Sequence, residues 1–413
     1  MAQLTGACVI AQSGGPTAVI NASFYGAAKA ALEAGCITKV YGAAHGIKGV
    51  LNDVLYDIGQ EDPRELEYLK YTPSSELGSC RYKMADPDKD DGDYQRILEI
   101  FKKYNVRYFF YNGGNDSMDT CNKISRFMSR SGYECRVMGI PKTIDNDLFG
   151  TDHCPGYASA AKYIATSCME VSKDARVYDT GAVTVMEIMG RHAGWLAAAA
   201  ALATHFGSGP DLVYLPETNF DMDVFLADVE RLYKANGAVF VAVSEGIHYA
   251  DGRFVSEAEV SASDGFGHAQ LGGLAVRLAD IVRQRLGVKV RGIELSLLQR
   301  CASHCASQTD IDEAILAGRI AVEAAVGGKS GYMVAFECSR DGGYECNTRL
   351  IPLTSVANFE KKIPAAWIGE DKSSVKQEFI DYLLPLVQGE PERALEQSMP
   401  RFARLKKVRA AAE

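Results

Sequence analysis

No C-x-x-C pair occurs among the 11 cysteines, which are odd in number and dispersed along the chain. That pattern offers no disulfide framework and fits a reduced, cytoplasmic protein. An excess of positive charge is also missing: 44 Lys and Arg stand against 53 Asp and Glu, a formal net charge of −9. Nucleic acid and anionic membrane are therefore not expected as main partners, although a local basic pocket for a phosphorylated ligand is compatible with an acidic surface. Long apolar runs are lacking too. The most conspicuous, Trp195 to Ala203, falls well short of the roughly 20 residues that cross a bilayer. The residues after Met1 carry no basic stretch and no secretory pattern. Internal repeats and low-complexity segments are not evident.

What is present is a globular composition. The chain has 413 residues, 47% hydrophobic and 23% charged, enough for roughly two to three domains. Short apolar runs recur at Ala7–Gln12, Val40–Ala44, Val106–Asn112, Arg136–Ile140, Ala182–Met189, Leu212–Leu215, Ala238–Ser244 and Gly331–Phe336. They are continuous rather than alternating, which predicts strands buried on both faces. The stretches between them read as helices, such as the Ala-rich Asn21–Glu33 and Asp93–Tyr104 with Ile97, Leu98 and Phe101 on one side. Strand and helix in alternation predict an α/β fold with mainly parallel sheets. Eight runs exceed one ordinary sheet, so two such domains are expected.

In folds of this class ligands gather beyond the carboxyl ends of the strands. The residues just after successive runs are chemically coherent: Ser13-Gly14-Gly15-Pro16-Thr17, Gly113-Gly114-Asn115-Asp116-Ser117, Pro141-Lys142-Thr143-Ile144-Asp145-Asn146-Asp147, Gly190-Arg191 and Pro216-Glu217. Two glycine turns ahead of helices suit phosphate, because backbone N–H groups approach an anion there. The carboxylates of Asp145 and Asp147 can divide labour, one accepting a proton and the other helping to hold a metal. Lys142 and Thr143 beside them can neutralise or hydrogen-bond a transferring phosphoryl group. Arg81, Arg191, Arg291 and Arg300 are the cations suited to planar recognition of phosphate. Neither a G-x-x-x-x-G-K-[ST] loop nor a G-x-G-x-x-G opening the first helix is present, which excludes P-loop kinases and weighs against a nicotinamide-binding dehydrogenase.

Other segments read as structure. Asp86–Asp93 is acidic but lacks the glycine position and terminal glutamate of a calcium loop, so a solvated loop is expected. Cys301, His304 and Cys305 read as one packed helix face rather than a metal site. Gly265-Phe266-Gly267-His268 follows no clear strand and reads as a loop. Arg401–Arg409 reads as a solvated basic helix.

Taken in order, Ser13-Gly14-Gly15, Gly113-Gly114-Asn115-Asp116-Ser117, Thr143-Ile144-Asp145-Asn146-Asp147, Met189-Gly190-Arg191, Pro216-Glu217 and Leu298-Gln299-Arg300 resemble the motifs of the phosphofructokinase family, from Ser13 to about Ala306. The resemblance implies two Rossmann-like three-layer αβα domains with the active site in the cleft between them. It implies a phosphoryl-donor-binding domain over 1–150, completed by a segment near 300–350, and a sugar-phosphate-binding domain over 151–298. A C-terminal helical extension is expected over 351–413. It implies that Asp145 accepts the proton of the C1 hydroxyl of fructose 6-phosphate. Thr143, Lys142 and Arg191 join it in the catalytic set. Gly15, Arg81, Gly114, Asn115, Asp116 and Lys142 hold the donor. Thr143, Asp145, Asp147, Met189, Gly190, Arg191, Glu217, Arg291 and Arg300 bind the sugar phosphate. Asn115, Asp116 and Asp147 hold Mg2+. A neighbouring subunit usually supplies one arginine of the 6-phosphate cluster, which implies a homodimer or homotetramer.

The donor is addressed by two positions. ATP-using members typically carry glycine where this chain has Asp116 and Lys142. The pair looks like the pyrophosphate-dependent branch: a carboxylate repels the α-phosphate region of ATP, and a lysine meets a terminal phosphate of pyrophosphate. Ile47, where some ATP-using relatives have an aromatic residue, points the same way. Departures from the family pattern are Asn115 in place of a metal-binding aspartate, Leu297 in place of histidine, and Ala182 in place of the neighbouring-subunit arginine, with Arg176 or Tyr178 as candidate substitutes. The alternatives are an ATP-dependent enzyme, a kinase for another sugar such as sedoheptulose 7-phosphate, and a catalytically silent regulatory subunit. Asp116 and Lys142 weigh against the first, and retention of Asp145, Asp147, Thr143 and Arg191 against the last.

Overall fold

The computed structural model describes residues 4–256, 273–357 and 359–411. The Gly265–His268 segment lies outside them. The first sheet begins with β1 (Gly6–Gln12), β2 (Ile37–Ala43), β3 (Leu55–Asp57), β4 (Val106–Gly113) and β5 (Arg136–Pro141). The chain then builds a second sheet from β6 (Ala182–Ile188), β7 (Leu212–Tyr214), β8 (Ala238–Ser244) and β9 (Val290–Glu294). It returns to the first with β10 (Tyr332–Ser339) and β11 (Glu345–Pro352). The spatial orders are β11-β10-β5-β4-β1-β2-β3 and β7-β8-β6-β9. The second sheet is wholly parallel; in the first, only β3 and β11 run antiparallel to their neighbours.

The continuous apolar runs form strands because helices cover both faces. Every residue of β1 and β8 is buried. Val9, Phe109 and Val137 pack on one side of the first sheet, whereas Ile10, Phe110 and Met138 pack on the other. The second sheet is layered likewise, with Met186 and Phe240 on one side and Val185 and Val241 on the other. The return segment is anchored by a close helix crossing. A Cβ on Gly26 would stand 2.1 Å from Ile315 O, and one on Gly318 would stand 2.1 Å from Ser23 O. Glycine at both positions lets helix Gln308–Val326 lie directly on helix Ile20–Glu33.

Each of the eight predicted runs overlaps a strand of these sheets, with at most one residue outside it. Three strands escaped that reading because their patterns differ. Strand β3 is only three residues long, and β9 and β11 are edge strands whose exposed faces break the apolar continuity. Residues 351–413 depart from the expected helical extension. Ile351 and Pro352 finish β11, and among the described residues the one α-helix beyond is Gln377–Leu383. The stretch Arg401–Arg409 is not a helix. Its N–H groups are taken by side chains: Ala403 N donates to Thr72 Oγ1, Arg404 N to Glu65, and Lys406 N and Lys407 N to the two oxygens of Glu61. With those donors drawn outward, the i→i−4 ladder of a helix cannot form. A short hairpin of β12 (Leu395–Glu396) and β13 (Met399–Pro400) precedes it. Among the described residues no helix is long and apolar enough to cross a membrane.

Candidate active site

The carboxyl ends of β1, β4 and β5 face a cleft of about 1190 Å³ whose opposite wall comes from the ends of β6, β8 and β9. Its lining includes Gly15, Arg81, Gly114, Asn115, Asp116, Lys142, Thr143, Asp145, Asp147, Met189, Arg191 and Arg300. Residues far apart in sequence thus meet because each follows a strand of one of two facing sheets.

The two glycine turns are tied to the strand ends. Ser13 N donates to Asn112 O (2.9 Å), and Gly14, at φ +77°, donates to Cys80 O (3.2 Å). Gly113 has no room for a side chain, since a Cβ would stand 2.0 Å from Ser117 Oγ. Gly114 then caps helix Asn115–Arg130, whose N-terminus opens on the cleft. Lys142 links both turns. Its N–H donates to Gly113 O (3.1 Å) and its Nζ to Gly15 O (2.7 Å), with the side chain buried. Burial pulls the Lys142 ammonium down to about 8, against the opposing pull of Asp145 and Asp147 and with help from Arg300 and Arg81. Burial, and then the like charge of Arg81, also lowers Arg300. Two guanidinium groups and a buried ammonium held this close favour an anion between them.

The turn after β5 is rigid. The Thr143 hydroxyl accepts from Asp145 N (3.1 Å), and Asn146 adopts φ +54°, a left-handed conformation for which asparagine is suited. Buried Asn146 donates from Nδ2 to Tyr382 Oη (2.8 Å), and its Oδ1 accepts from Cys154 N (3.0 Å) and Lys361 Nζ (3.4 Å). Burial, then Asp147 and Glu245, pushes the Asp145 carboxyl up to about 7. Burial chiefly raises Asp147 as well. Asn115 Nδ2 donates to Asp147 Oδ2 (3.1 Å), and this leaves Asn115 Oδ1 buried without a hydrogen-bond partner. A carboxylate beside an unpaired amide oxygen suits a hard divalent cation.

On the facing wall, Gly190 N donates to Glu245 Oε1 (3.3 Å), and Met189 N donates to Gln299 Oε1 (3.2 Å). Three predicted residues are not at the cleft surface: Gly190, which is buried, Glu217 and Arg291. Glu217 sits one layer behind it, where Oε1 accepts from Gly194 N (2.9 Å) and Ile363 N (3.2 Å). Arg291 points away on edge strand β9 and pairs with Asp174 at 3.1 Å. Leu297 lies on the cleft, exposed. Arg176 makes a two-pronged contact with Asp211 and Tyr178 is stacked by Lys289, so both are engaged elsewhere. Ile47 is a core residue of the first unit. Cys301 and Cys305 turn to different partners, Leu297 O and Thr166 Oγ1, and His304 packs edge-on against Tyr163.

Sequence reasoning missed Glu245, Glu360 and Lys361. Glu245 immediately follows β8 and was legible by the strand-end rule. Glu360 and Lys361 belong to the segment that follows β11 and carry no strand-end signal. That segment crosses back over the catalytic turn: Lys361 N donates to Asp147 O (2.8 Å), and its buried Nζ donates to Thr151 O (3.2 Å) and Asp152 O (2.6 Å) above the Trp195 ring. Glu360 lines the cleft next to Asp147.

Comparison with known proteins agrees with this geometry. The family model for phosphofructokinase matches residues 7–327. The chain is 44% identical to the pyrophosphate--fructose 6-phosphate 1-phosphotransferase of Halomonas elongata, over 97% of this chain and 96% of that protein. It is also 44% identical to the protein of the same name from Methylococcus capsulatus, over 92% and 91%. The crystal structure of the pyrophosphate-dependent phosphofructokinase of Nitrosospira multiformis superposes with a TM-score of 0.89 at 40% identity, covering 98% of each chain. With the strand-end motifs gathered in one cleft and near full-length likeness of this kind, the chain belongs to the phosphofructokinase family.

Proposed function

We propose that the protein is a pyrophosphate-dependent 6-phosphofructokinase, transferring a phosphoryl group reversibly between pyrophosphate and the C1 hydroxyl of fructose 6-phosphate, in glycolysis. The observation that carries the donor assignment is the placement of Lys142. Its buried ammonium bridges the two glycine turns, and Asp116 occupies the first turn of the helix beside them. A carboxylate there disfavours the α-phosphate of a nucleotide, and the ammonium neutralises a terminal phosphate.

In this reading, pyrophosphate lies along Gly14–Gly15 and Gly114–Asn115, with Arg81 and Lys142 neutralising its charge, and Arg300 beside them takes the 6-phosphate of the sugar. Fructose 6-phosphate lies against Met189, Gly190 and Arg191. Asp145 accepts the C1 hydroxyl proton while that oxygen attacks phosphorus in line, and inorganic phosphate leaves from the opposite side. A carboxyl held at about 7 is poised to take a proton near neutral pH and return it in the reverse direction. Thr143 braces the backbone of Asp145. Asp147, Asn115 Oδ1 and Asp116 would hold magnesium, which when bound supplies charge neutralisation on the donor. Glu217 acts by fixing Gly194 and Ile363 rather than by touching the sugar. Arg291 is assigned to the 6-phosphate of a partner copy, in a homodimer or homotetramer. Its exposed, outward position on edge strand β9 supports that assignment. The division into a donor unit and a sugar unit, and action in the cytoplasm, belong to the same reading. Eleven free cysteines are consistent with a reducing compartment.

The test is initial rates with fructose 6-phosphate and magnesium, comparing pyrophosphate with ATP. Turnover with pyrophosphate alone is expected. Turnover with ATP alone would overturn the donor assignment, and silence with both would overturn the acceptor.

A further inference from the structure

Behind the catalytic turn, the β10–β11 hairpin meets residues 151–154 in a compact group of metal-ligand side chains. Asp152, His153 and Cys338 each offer one donor atom, all within 4.8 Å of one another. Cys346 stands directly opposite Cys338 in the antiparallel register of the hairpin. We infer that Asp152, His153, Cys338 and Cys346 form a structural site for a thiophilic divalent cation of the zinc class.

The donor set and its geometry support this. His153 Nδ1 lies 3.9 Å from Cys338 Sγ and 3.0 Å from Asp152 Oδ1. Zinc bonds to nitrogen, oxygen and sulfur, set at tetrahedral angles, separate N from S by about 3.6 Å and N from O by about 3.4 Å. These two separations lie within about 0.4 Å of the tetrahedral values, and Cys346 stands across from Cys338 on the facing strand. The other ring nitrogen of His153 is held by a carboxylate, with Nε2 2.6 Å from Glu313 Oε2, and Glu313 Oε1 accepts from Tyr344 Oη (2.6 Å). A carboxylate on the distal nitrogen is the arrangement that orients a metal-binding imidazole. Stacking on Phe336 at 4.8 Å fixes the ring plane.

Cation binding at this group displaces the proton on His153 Nδ1 and the thiol protons into solvent. Arg340 grips Asp152 from the other side through both oxygens (2.9 and 2.8 Å), leaving lone pairs of the carboxylate toward His153. Cys338 and Cys346 are only partly buried, so an ion can enter along the hairpin.

The consequence is structural. Asp152 O accepts from Lys361 Nζ and from Tyr382 Oη, and both side chains hold Asn146 in the catalytic turn. A cation would pin the hairpin to the residues that follow that turn.

The full chain is loaded with zinc, freed of excess by gel filtration, and assayed by elemental mass spectrometry. About one zinc per chain is expected for the unaltered protein, and less than about a tenth of that in Cys338→Ser and Cys346→Ser. Cobalt(II) loading should give a thiolate-to-cobalt charge-transfer absorption that both variants lose. The cysteine variants leave the ion pairs of His153 in place, so they test the site even if His153→Gln does not fold. A protein that retains no zinc overturns the assignment, as do serine variants that retain as much as the unaltered chain. A cobalt complex without the charge-transfer band overturns it too.

Discussion

Two of the buried titrating groups of the cleft set a narrow pH window. Asp145, pushed up to about 7 by burial, Asp147 and Glu245, must be deprotonated to accept the hydroxyl proton. Lys142, pulled down to about 8 mainly by burial, must be protonated to neutralise the donor. The signs are opposite, so kcat/KM rises with pH through about 7 and falls through about 8. With those two values the correctly protonated fraction peaks near pH 7.5 at about 0.6, and it falls to about 0.09 at pH 6 and at pH 9, a loss of about sixfold on each side. The perturbations isolate each limb. Glu245→Gln removes a negative neighbour that raises Asp145, so the acid limb should move to lower pH. Lys142→Arg replaces a titrating cation with one that stays charged, so the alkaline limb should disappear from whatever activity remains. The assay is forward initial rate at subsaturating substrate from pH 5.5 to 9.5, with all variants in the same buffers so that titration of pyrophosphate itself is common to them. An alkaline limb that stays near 8 in Lys142→Arg, or an acid limb unmoved in Glu245→Gln, would refute the reasoning.

Asp145→Ala should abolish turnover while fructose 6-phosphate binding, measured by calorimetry, stays within a few-fold; an active variant would remove the base assignment. Asp116→Gly combined with Lys142→Gly should admit ATP as donor and depress the rate with pyrophosphate. No gain with ATP would show that other residues exclude the nucleotide. Lys361→Met should cost about 3 kcal/mol of stability in urea unfolding, because it removes three charge-assisted hydrogen bonds from a buried site. It should also lower kcat more than it raises KM, since the Lys361 ammonium holds the side chain of Asn146 and the carbonyls of Thr151 and Asp152 rather than a substrate. An unchanged kcat would mean that the turn is held without it.

Much of the site was legible in sequence because in a parallel α/β fold the side chains at strand ends do the chemistry, and apolar runs buried on both faces reveal where strands end. Gly15, Gly114, Lys142, Asp145 and Arg191 were found by that rule, and Glu245 was available to it. The rule fails where a segment reaches the site without a strand. Glu360 and Lys361 occupy a polar stretch whose local pattern says only that it is irregular; the path of the chain over the catalytic turn decides their role. Glu217 and Arg291 show the reverse, since motif spacing names a residue but not its direction. Arg401–Arg409 shows how a local reading is overruled, because distant carboxylates of Glu61 and Glu65 capture the N–H groups that a helix would need. Apolar periodicity and glycine placement, being local, determined the two α/β units and the loops of the cleft. Which side chains meet, how deeply they are buried and which way their protons are driven depend on contacts between residues hundreds apart, and only the tertiary structure decided them.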